Sequence, residues 1–199
     1  MKRKLIIFNN VTLDGYFSGR NGEFNWAHEG SDDLEFADFV QQNASGESQL
    51  LFGRKTYELM SAYWPTTMAT RNDPIVAAGM NKSSKLVFSN ILQEAEWSNS
   101  KVVRGDMVEA VRQMKDQSGP DMVVLGSGSI VAQLSTVGLV DEYQILINPL
   151  ALGGGRTLFE GLLQPLRLKL NSQELLKTVK LIFVCGKNNR FKEKIGYGG

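Results

Sequence analysis

Six short runs of branched and aromatic residues recur along this chain, and most are too continuously apolar to leave one face wet. They are KLIIFNNV (Lys4 to Val11), QLLFG (Gln49 to Gly53), KLVFS (Lys85 to Ser89), KVV (Lys101 to Val103), MVVLG (Met122 to Gly126) and EYQILIN (Glu142 to Asn148). A strand of that kind must be covered on both sides, which is the situation in a parallel sheet whose crossover helices lie on its two faces. Helix-like segments stand between the runs: Ser31 to Asn43, Arg54 to Tyr63, Met107 to Gln117 and Ser129 to Val137. The alternation predicts a three-layer α/β/α fold with a mostly parallel central sheet. Two alternating segments near the end, LRLKLNSQELL and TVKLIFVCGK, predict a closing antiparallel hairpin. No internal repeat or composition break divides the 199 residues, so one domain is expected, with its core from about residue 4 to residue 187 and a glycine-rich tail.

Charge and composition exclude several classes of function. Twenty-two Lys and Arg against 21 Asp and Glu leave a formal charge of +1, which gives no field for nucleic acid or an anionic membrane. The partner expected is a small molecule. The apolar run after Met1 is too short for a signal segment or a membrane span, and a cytoplasmic location is expected. One cysteine, Cys185, and one histidine, His28, give neither a disulfide nor a zinc ligand set, and no G-x-S-x-G elbow is present. His28 reads as a surface residue and Cys185 as a buried strand residue without redox work.

The turn GSGS, Gly126 to Ser129, follows a buried strand and opens a helix. Such a junction presents unpaired backbone N–H groups and the positive end of the helix, where a pyrophosphate can sit. The same residues also suit a tight strand-to-helix turn capped by Ser129. A Rossmann fingerprint is only half met, because Val131 stands where a third glycine belongs, and Asp141 and Glu142 begin the next strand instead of ending it. A second such junction is GRKTYE, where Gly53 leads into Arg54, Lys55 and Thr56. Cations in a first helical turn oppose the helix dipole by about 0.3 to 1 kcal/mol each, so a nearby phosphate would rationalise them; a solvated first turn is the plain alternative. A third strand ends in Ser89 and Asn90. Three such ends together favour one extended ligand with several phosphates.

These residues give the chain its resemblance to the dihydrofolate reductase superfamily, within it the branch similar to the riboflavin-biosynthesis reductase domain. The motifs TLDGYFSG, GRKTYE, VFSN, VLGSGS and GLVDEYQILINPLALGGGRTLFEG occur in that order, from Lys4 to Lys187. The resemblance implies a dihydrofolate reductase-like fold and an NADPH-dependent reductase of a small heterocyclic substrate, most like 5-amino-6-(5-phosphoribosylamino)uracil reductase. A true dihydrofolate reductase and a dinucleotide-binding protein without turnover are the alternatives. It implies further that Gly53, Arg54, Lys55, Thr56, Ser89 and Asn90 hold the 2'-phosphate end of the cofactor, and that Gly126, Ser127, Gly128, Ser129 and Ile130 hold the pyrophosphate. Asn10, Arg104 as a further basic contact and Gln133 near the adenine complete that set. Where relatives usually carry a second glycine this chain has Ser127. The Gly126–Ser127 peptide, or its neighbour at Gly128, is expected to be strained, with a cis bond as the form related folds use, and with the N–H groups of Gly128 to Ile130 aimed at the pyrophosphate.

Candidate catalytic and substrate-binding residues are Asp14, Asp33 and Trp26. Asp14 either forms the Asp-Gly turn or reaches the substrate from the end of the first strand. Asp32, Asp33 and Glu35 suit the first turn of a helix capped by Ser31, and Asp33 best matches the carboxylate that dihydrofolate enzymes place against the pterin. Trp26 and Phe24 either cover the site as part of a lid from Asp14 to Trp26 or pack inside. LGGGR, Leu152 to Arg156, either cradles another anion or is a flexible crossover. A homodimer is expected through the apolar strand TVKLIFVCGK, whose edge needs a cover.

Overall fold

A computed structural model describes residues 2–28, 48–176 and 180–187. Its main sheet has eight strands in the order β5-β4-β3-β6-β1-β7-β10-β9. These are β1 (Leu5–Thr12), β3 (Gln49–Gly53), β4 (Lys85–Phe88), β5 (Ser100–Val103), β6 (Met122–Leu125), β7 (Glu142–Asn148), β9 (Leu168–Leu175) and β10 (Leu181–Lys187). The neighbours from β5 to β7 are all parallel, and β10 runs antiparallel to both β7 and β9. The expected sheet and its closing hairpin are both present. Two very short strands, β2 (Tyr16–Ser18) and β8 (Arg156–Thr157), form a separate ladder that the apolar runs do not announce.

Successive residues of each strand serve opposite faces, and the helices divide accordingly. Leu5, Ile7, Leu51, Met122 and Val124 pack with Val111 of α4 (Met107–Asp116) and with Ile130, Val131 and Leu134 of α5 (Gly128–Thr136). On the other face Leu50, Phe52, Val87 and Val123 pack with residues of α1 (Arg54–Tyr63), α2 (Thr67–Asn72) and α3 (Pro74–Lys82). The segment PIVAAGMNK carries no strong amphipathic period, and it folds as α3 because Pro74 opens it and Val76, Ala77 and Met80 find the sheet. The expected helix from Ser31 to Asn43 lies outside the described residues.

The strand that carries TVKLIFVCGK is not an edge. Leu181–Lys187 is paired on both sides, by β7 and by β9. The outer strand on this side of the sheet is β9, exposed along nearly its whole length, with Lys169 and Glu174 among its side chains and a register shift opposite Val184 and Cys185. Charges and bulges of this kind discourage edge-to-edge pairing.

One charged group is almost completely buried beside the apolar cluster that covers the α1–α3 face of the sheet. Lys85, the first residue of β4, is 1% exposed, and its ammonium donates to the carbonyls of Asn81 (3.3 Å), Ser83 (2.7 Å) and Ser98 (3.0 Å). It also lies 4.4 Å from the centre of the Trp97 ring. Burial pushes its pKa from 10.5 down to about 8, which still leaves it charged at neutral pH. Two carbonyls at the end of α3 and one from the turn before β5 thus share one cation, and Lys85→Met removes their common donor. We expect that variant to lose about 2 to 3 kcal/mol in urea denaturation at pH 7. Between the folded value of about 8 and the unfolded 10.5 the unfolded chain binds more protons, so the advantage of the native lysine should grow as pH rises through that window.

Candidate active site

Strands β3 and β6 are adjacent and parallel, yet α1 leaves β3 toward one face and α5 leaves β6 toward the other. Chains that part in this way open a crevice at the carboxyl edge, the usual place for a ligand in a sheet of this type. A cleft of about 400 Å3 lies there. From the expected cofactor set it brings together Gly53, Arg54, Lys55, Thr56, Ser89, Asn90, Ser127, Gly128, Ser129, Ile130 and Gln133. Phe17, Phe88, Val103, Gly105, Met107 and Arg156 line it as well. Among the described residues the lining contains three cations, Arg54, Lys55 and Arg156, and no carboxylate. Sequence reading missed the apolar members because they look like ordinary core positions; Arg156 ends the LGGGR segment, for which an anion cradle and a crossover were both open, and it does line the cleft.

The glycine-serine turn adopts a shape that only the neighbouring strand explains. Gly126 has φ +59° and Ser127 φ +61°, so two successive residues are left-handed, and no peptide among the described residues is cis. The strain expected here is therefore in φ and not in a cis bond. For Ser127 the left-handed conformation costs about 1 kcal/mol. Its hydroxyl accepts the backbone N–H of Gly53 at 3.0 Å and donates to Thr56 Oγ1 at 2.9 Å, which joins the ends of β3 and β6. The carbonyl of Gly126 is held from the other side by Asn9 Nδ2 at 3.3 Å. Asn9 is 3% exposed on the face of β1 that meets α5, and sequence reading passed over it in favour of Asn10.

With Ser127 turned toward β3, α5 has no side-chain cap, and Ser129 does not supply one. Gly128 and Ser129 N–H have no protein acceptor among the described residues, whereas Ile130 N–H donates to the Ser127 carbonyl at 2.9 Å and is not available to a ligand. Helix α1 is uncapped in the same way, with Gly53 at its cap position. Elsewhere Thr66 caps α2, Asp106 caps α4, and α3 opens on Pro74, which has no N–H to cap. Two helices of 10 and 9 residues thus open uncapped into one cleft. Their free N–H groups suit an anion.

The other expected residues are placed as follows. Arg54 is bound to Glu58, its Nη1 lying 2.7 and 2.8 Å from the two carboxylate oxygens. Lys55 has no acceptor among the described residues. Ser89 Oγ accepts Ile91 and Leu92 N–H, leaving its own proton to donate, and Asn90 Oδ1 holds Gly105 N–H at 2.9 Å. Gln133 Nε2 donates to Ser129 O at 3.1 Å. Arg104 does not line the cleft: its guanidinium fastens the carbonyls of Leu92 and Gln93 at 2.9 and 3.0 Å. Asn10 lies outside it too, because strand alternation turns it to the opposite face, where Asn148 Nδ2 donates to it at 3.2 Å.

Of the three candidates for substrate chemistry, the two that are described, Trp26 and Asp14, do not line this cleft. Trp26 is 5% exposed and packs edge-on against Phe24, 5.5 Å between ring centres, so it is a packed residue here and not a cover. Asp14 accepts the Thr12 hydroxyl at 2.5 Å and the N–H groups of Leu152 and Gly153 at 3.2 and 2.8 Å. The Thr12 bond first, and then those backbone bonds, hold its carboxyl below the usual carboxylate range despite some opposing desolvation. The structure thus gives Asp14 the turn role, as the anchor of the loop at residues 152 and 153. Asp33 lies outside the described residues. Burial raises the Cys185 thiol above its ordinary pKa, the direction of an inert cysteine.

A family model for the RibD C-terminal domain matches residues 3–181. The chain belongs to the RibD C-terminal domain family. It is similar to the uncharacterized protein YyaP of Bacillus subtilis (strain 168), 30% identical over 169 residues that make up 85% of this chain and 87% of that one. Among solved structures it is similar to a diaminohydroxyphosphoribosylaminopyrimidine deaminase/5-amino-6-(5-phosphoribosylamino)uracil reductase from Thermotoga maritima. That match has a TM-score of 0.66 and 16% identity, and covers 94% of this chain and 57% of the other. A dihydrofolate reductase from Enterococcus faecalis, complexed with NADP(H), matches with a TM-score of 0.62 and 15% identity over 95% of this chain and all of that one. At such identities the two structures establish a shared fold. Among the described residues of this RibD C-terminal domain protein, no helix is long and apolar enough to cross a membrane, and no cluster of His, Cys, Asp and Glu has the form of a metal site.

In this family member Ser127 offsets its own backbone strain by bonding β3 to β6. Ser127→Ala keeps the left-handed strain and leaves Gly53 N–H without its acceptor; we expect a loss of about 1 to 2 kcal/mol. Ser127→Gly loses the same bond but removes the strain, and should come out within about 1 kcal/mol of the native protein. Thermal denaturation of the two variants side by side checks the order. Gly128 is a poor position for such probes, since an added Cβ would lie 2.6 Å from the Phe17 ring and so displace the wall of the cleft instead of merely filling phosphate space.

Proposed function

We propose that this protein is an NADPH-dependent reductase of a small heterocyclic substrate, most like 5-amino-6-(5-phosphoribosylamino)uracil reductase. The observation that carries the reading is the pair of uncapped helix ends, α1 and α5, opening into a cleft whose described lining holds three cations and no carboxylate. An elongated ligand with phosphates along its length satisfies both ends at once. Family membership and the likeness in fold to an NADP(H)-complexed reductase support the same cofactor.

When bound, the cofactor supplies a hydride from its nicotinamide; the chain contributes binding, orientation and electrostatics. Gly128 and Ser129 N–H would take the pyrophosphate. Lys55 would take the 2'-phosphate together with the Ser89 hydroxyl proton and the Asn90 amide. Arg54 is already bound to Glu58 and adds less. Phe88, Val103 and Met107 offer the apolar walls that a purine face prefers.

Isothermal titration should therefore find tighter binding of NADPH than of NADH. Lys55→Gln should raise the NADPH dissociation constant by about 10-fold or more and leave that of NADH unchanged, since one charge-assisted phosphate contact is worth about 1.5 to 3 kcal/mol. Arg54→Gln should have the smaller effect. Equal affinities for the two cofactors in the native protein would overturn the assignment of the 2'-phosphate site. Loss of nicotinamide absorbance on adding the pyrimidine substrate tests the reaction itself.

A further inference from the structure

Arg156 is a cleft residue that the expected cofactor set leaves out, and the chain holds it in place by three separate devices. Asp14 receives the N–H groups of Leu152 and Gly153, while Leu13 N–H donates to the Leu150 carbonyl at 2.8 Å, so the loop before Arg156 is fixed to the end of β1. At Gly155 an added Cβ would lie 2.2 Å from the Ser18 carbonyl, so only glycine lets β8 lie against β2. That ladder sets Arg156 opposite Ser18, and its guanidinium carbon lies 5.7 Å from the centre of the Phe17 ring. The same ring presses against Gly128 at the start of α5. Phe17 therefore spans the distance from the free N–H groups of α5 to the guanidinium. Among the described residues no carboxylate pairs with Arg156 and none lines the cleft.

Resting on the cofactor reading above, we propose that Arg156 binds the pyrophosphate of the dinucleotide from the wall opposite α5, with Asp14 as its positioning residue. A planar guanidinium can take two phosphate oxygens at once, and its stacking on Phe17 restricts the orientations it must give up on binding. Asp14 acts on phosphate recognition through the loop, and the exposed turn it caps becomes part of the binding machinery without touching ligand.

The test is titration of the full chain with NADPH, NADH and 2'-AMP, which carries a 2'-phosphate but no pyrophosphate. Arg156→Gln should raise the dissociation constants of NADPH and NADH by a similar factor, about 10- to 100-fold, and leave 2'-AMP unchanged. Arg156→Lys should restore part of the loss. Asp14→Ala should weaken both dinucleotides in the native background and add nothing in the Arg156→Gln background, a coupling that a merely structural role would not produce. Circular dichroism of each variant checks that the fold persists. If the native protein binds both dinucleotides and Arg156→Gln binds them within two-fold of it, the inference is overturned while the cofactor reading stands. A loss confined to NADPH and 2'-AMP would overturn it equally, by placing Arg156 at the 2'-phosphate. If the native protein binds neither dinucleotide, the cofactor reading falls, and this inference falls with it.

Discussion

Everything at the candidate site depends on two parallel strands that end side by side and then part. β3 and β6 are hydrogen-bonded neighbours, but the helices that follow them cover opposite faces of the sheet. Their ends would drift apart without a cross-tie, and the Ser127 hydroxyl supplies it by accepting Gly53 N–H and donating to Thr56. Once that side chain faces β3 it cannot cap α5. The left-handed backbone, the missing cap and the free N–H groups of Gly128 and Ser129 are thus consequences of a single serine in a place where a second glycine would be easier to accommodate.

The second wall is built by different means. β2 and β8 together contribute only five residues, too few for an independent sheet. They are held by what surrounds them: Gly155 permits the close approach to Ser18, and the Asp14 carboxylate anchors the loop that precedes it. The result places Phe17 and Arg156 across from the turn after β6, so the cleft acquires apolar and cationic surface from a part of the chain far from the helices. Buried charge elsewhere follows another logic, with Lys85 serving three carbonyls beside Trp97 and having no part in the cleft.

Much of this was legible in the residues. The continuous apolar runs determined a covered parallel sheet, because a strand without a polar face has nowhere else to go, and the segments Arg54 to Tyr63 and Glu142 to Asn148 were delimited by their own turn residues. The junctions GRKT, FSN and GSGS could be read as ligand-facing because glycine, hydroxyl and cation recur where parallel strands end. Those are local properties, set by backbone freedom and side-chain chemistry, and they do not depend on distant neighbours.

Which groups remain available was decided mostly by tertiary structure. Arg54 is the local exception, since Glu58 stands one helical turn on and binds it, a spacing already present in the sequence. Asp14 could be a turn residue or a substrate contact by its sequence, and it is residues 152 and 153, far along the chain, that supply the N–H groups it holds. Arg104 was drawn to the carbonyls of Leu92 and Gln93, while Arg156 was brought into the cleft by a two-residue strand with no apolar signal of its own. Each of these outcomes turns on a hydrogen-bond partner or a close approach at one point in space. Sequence fixes the donors and acceptors; which of them meet is set by the fold.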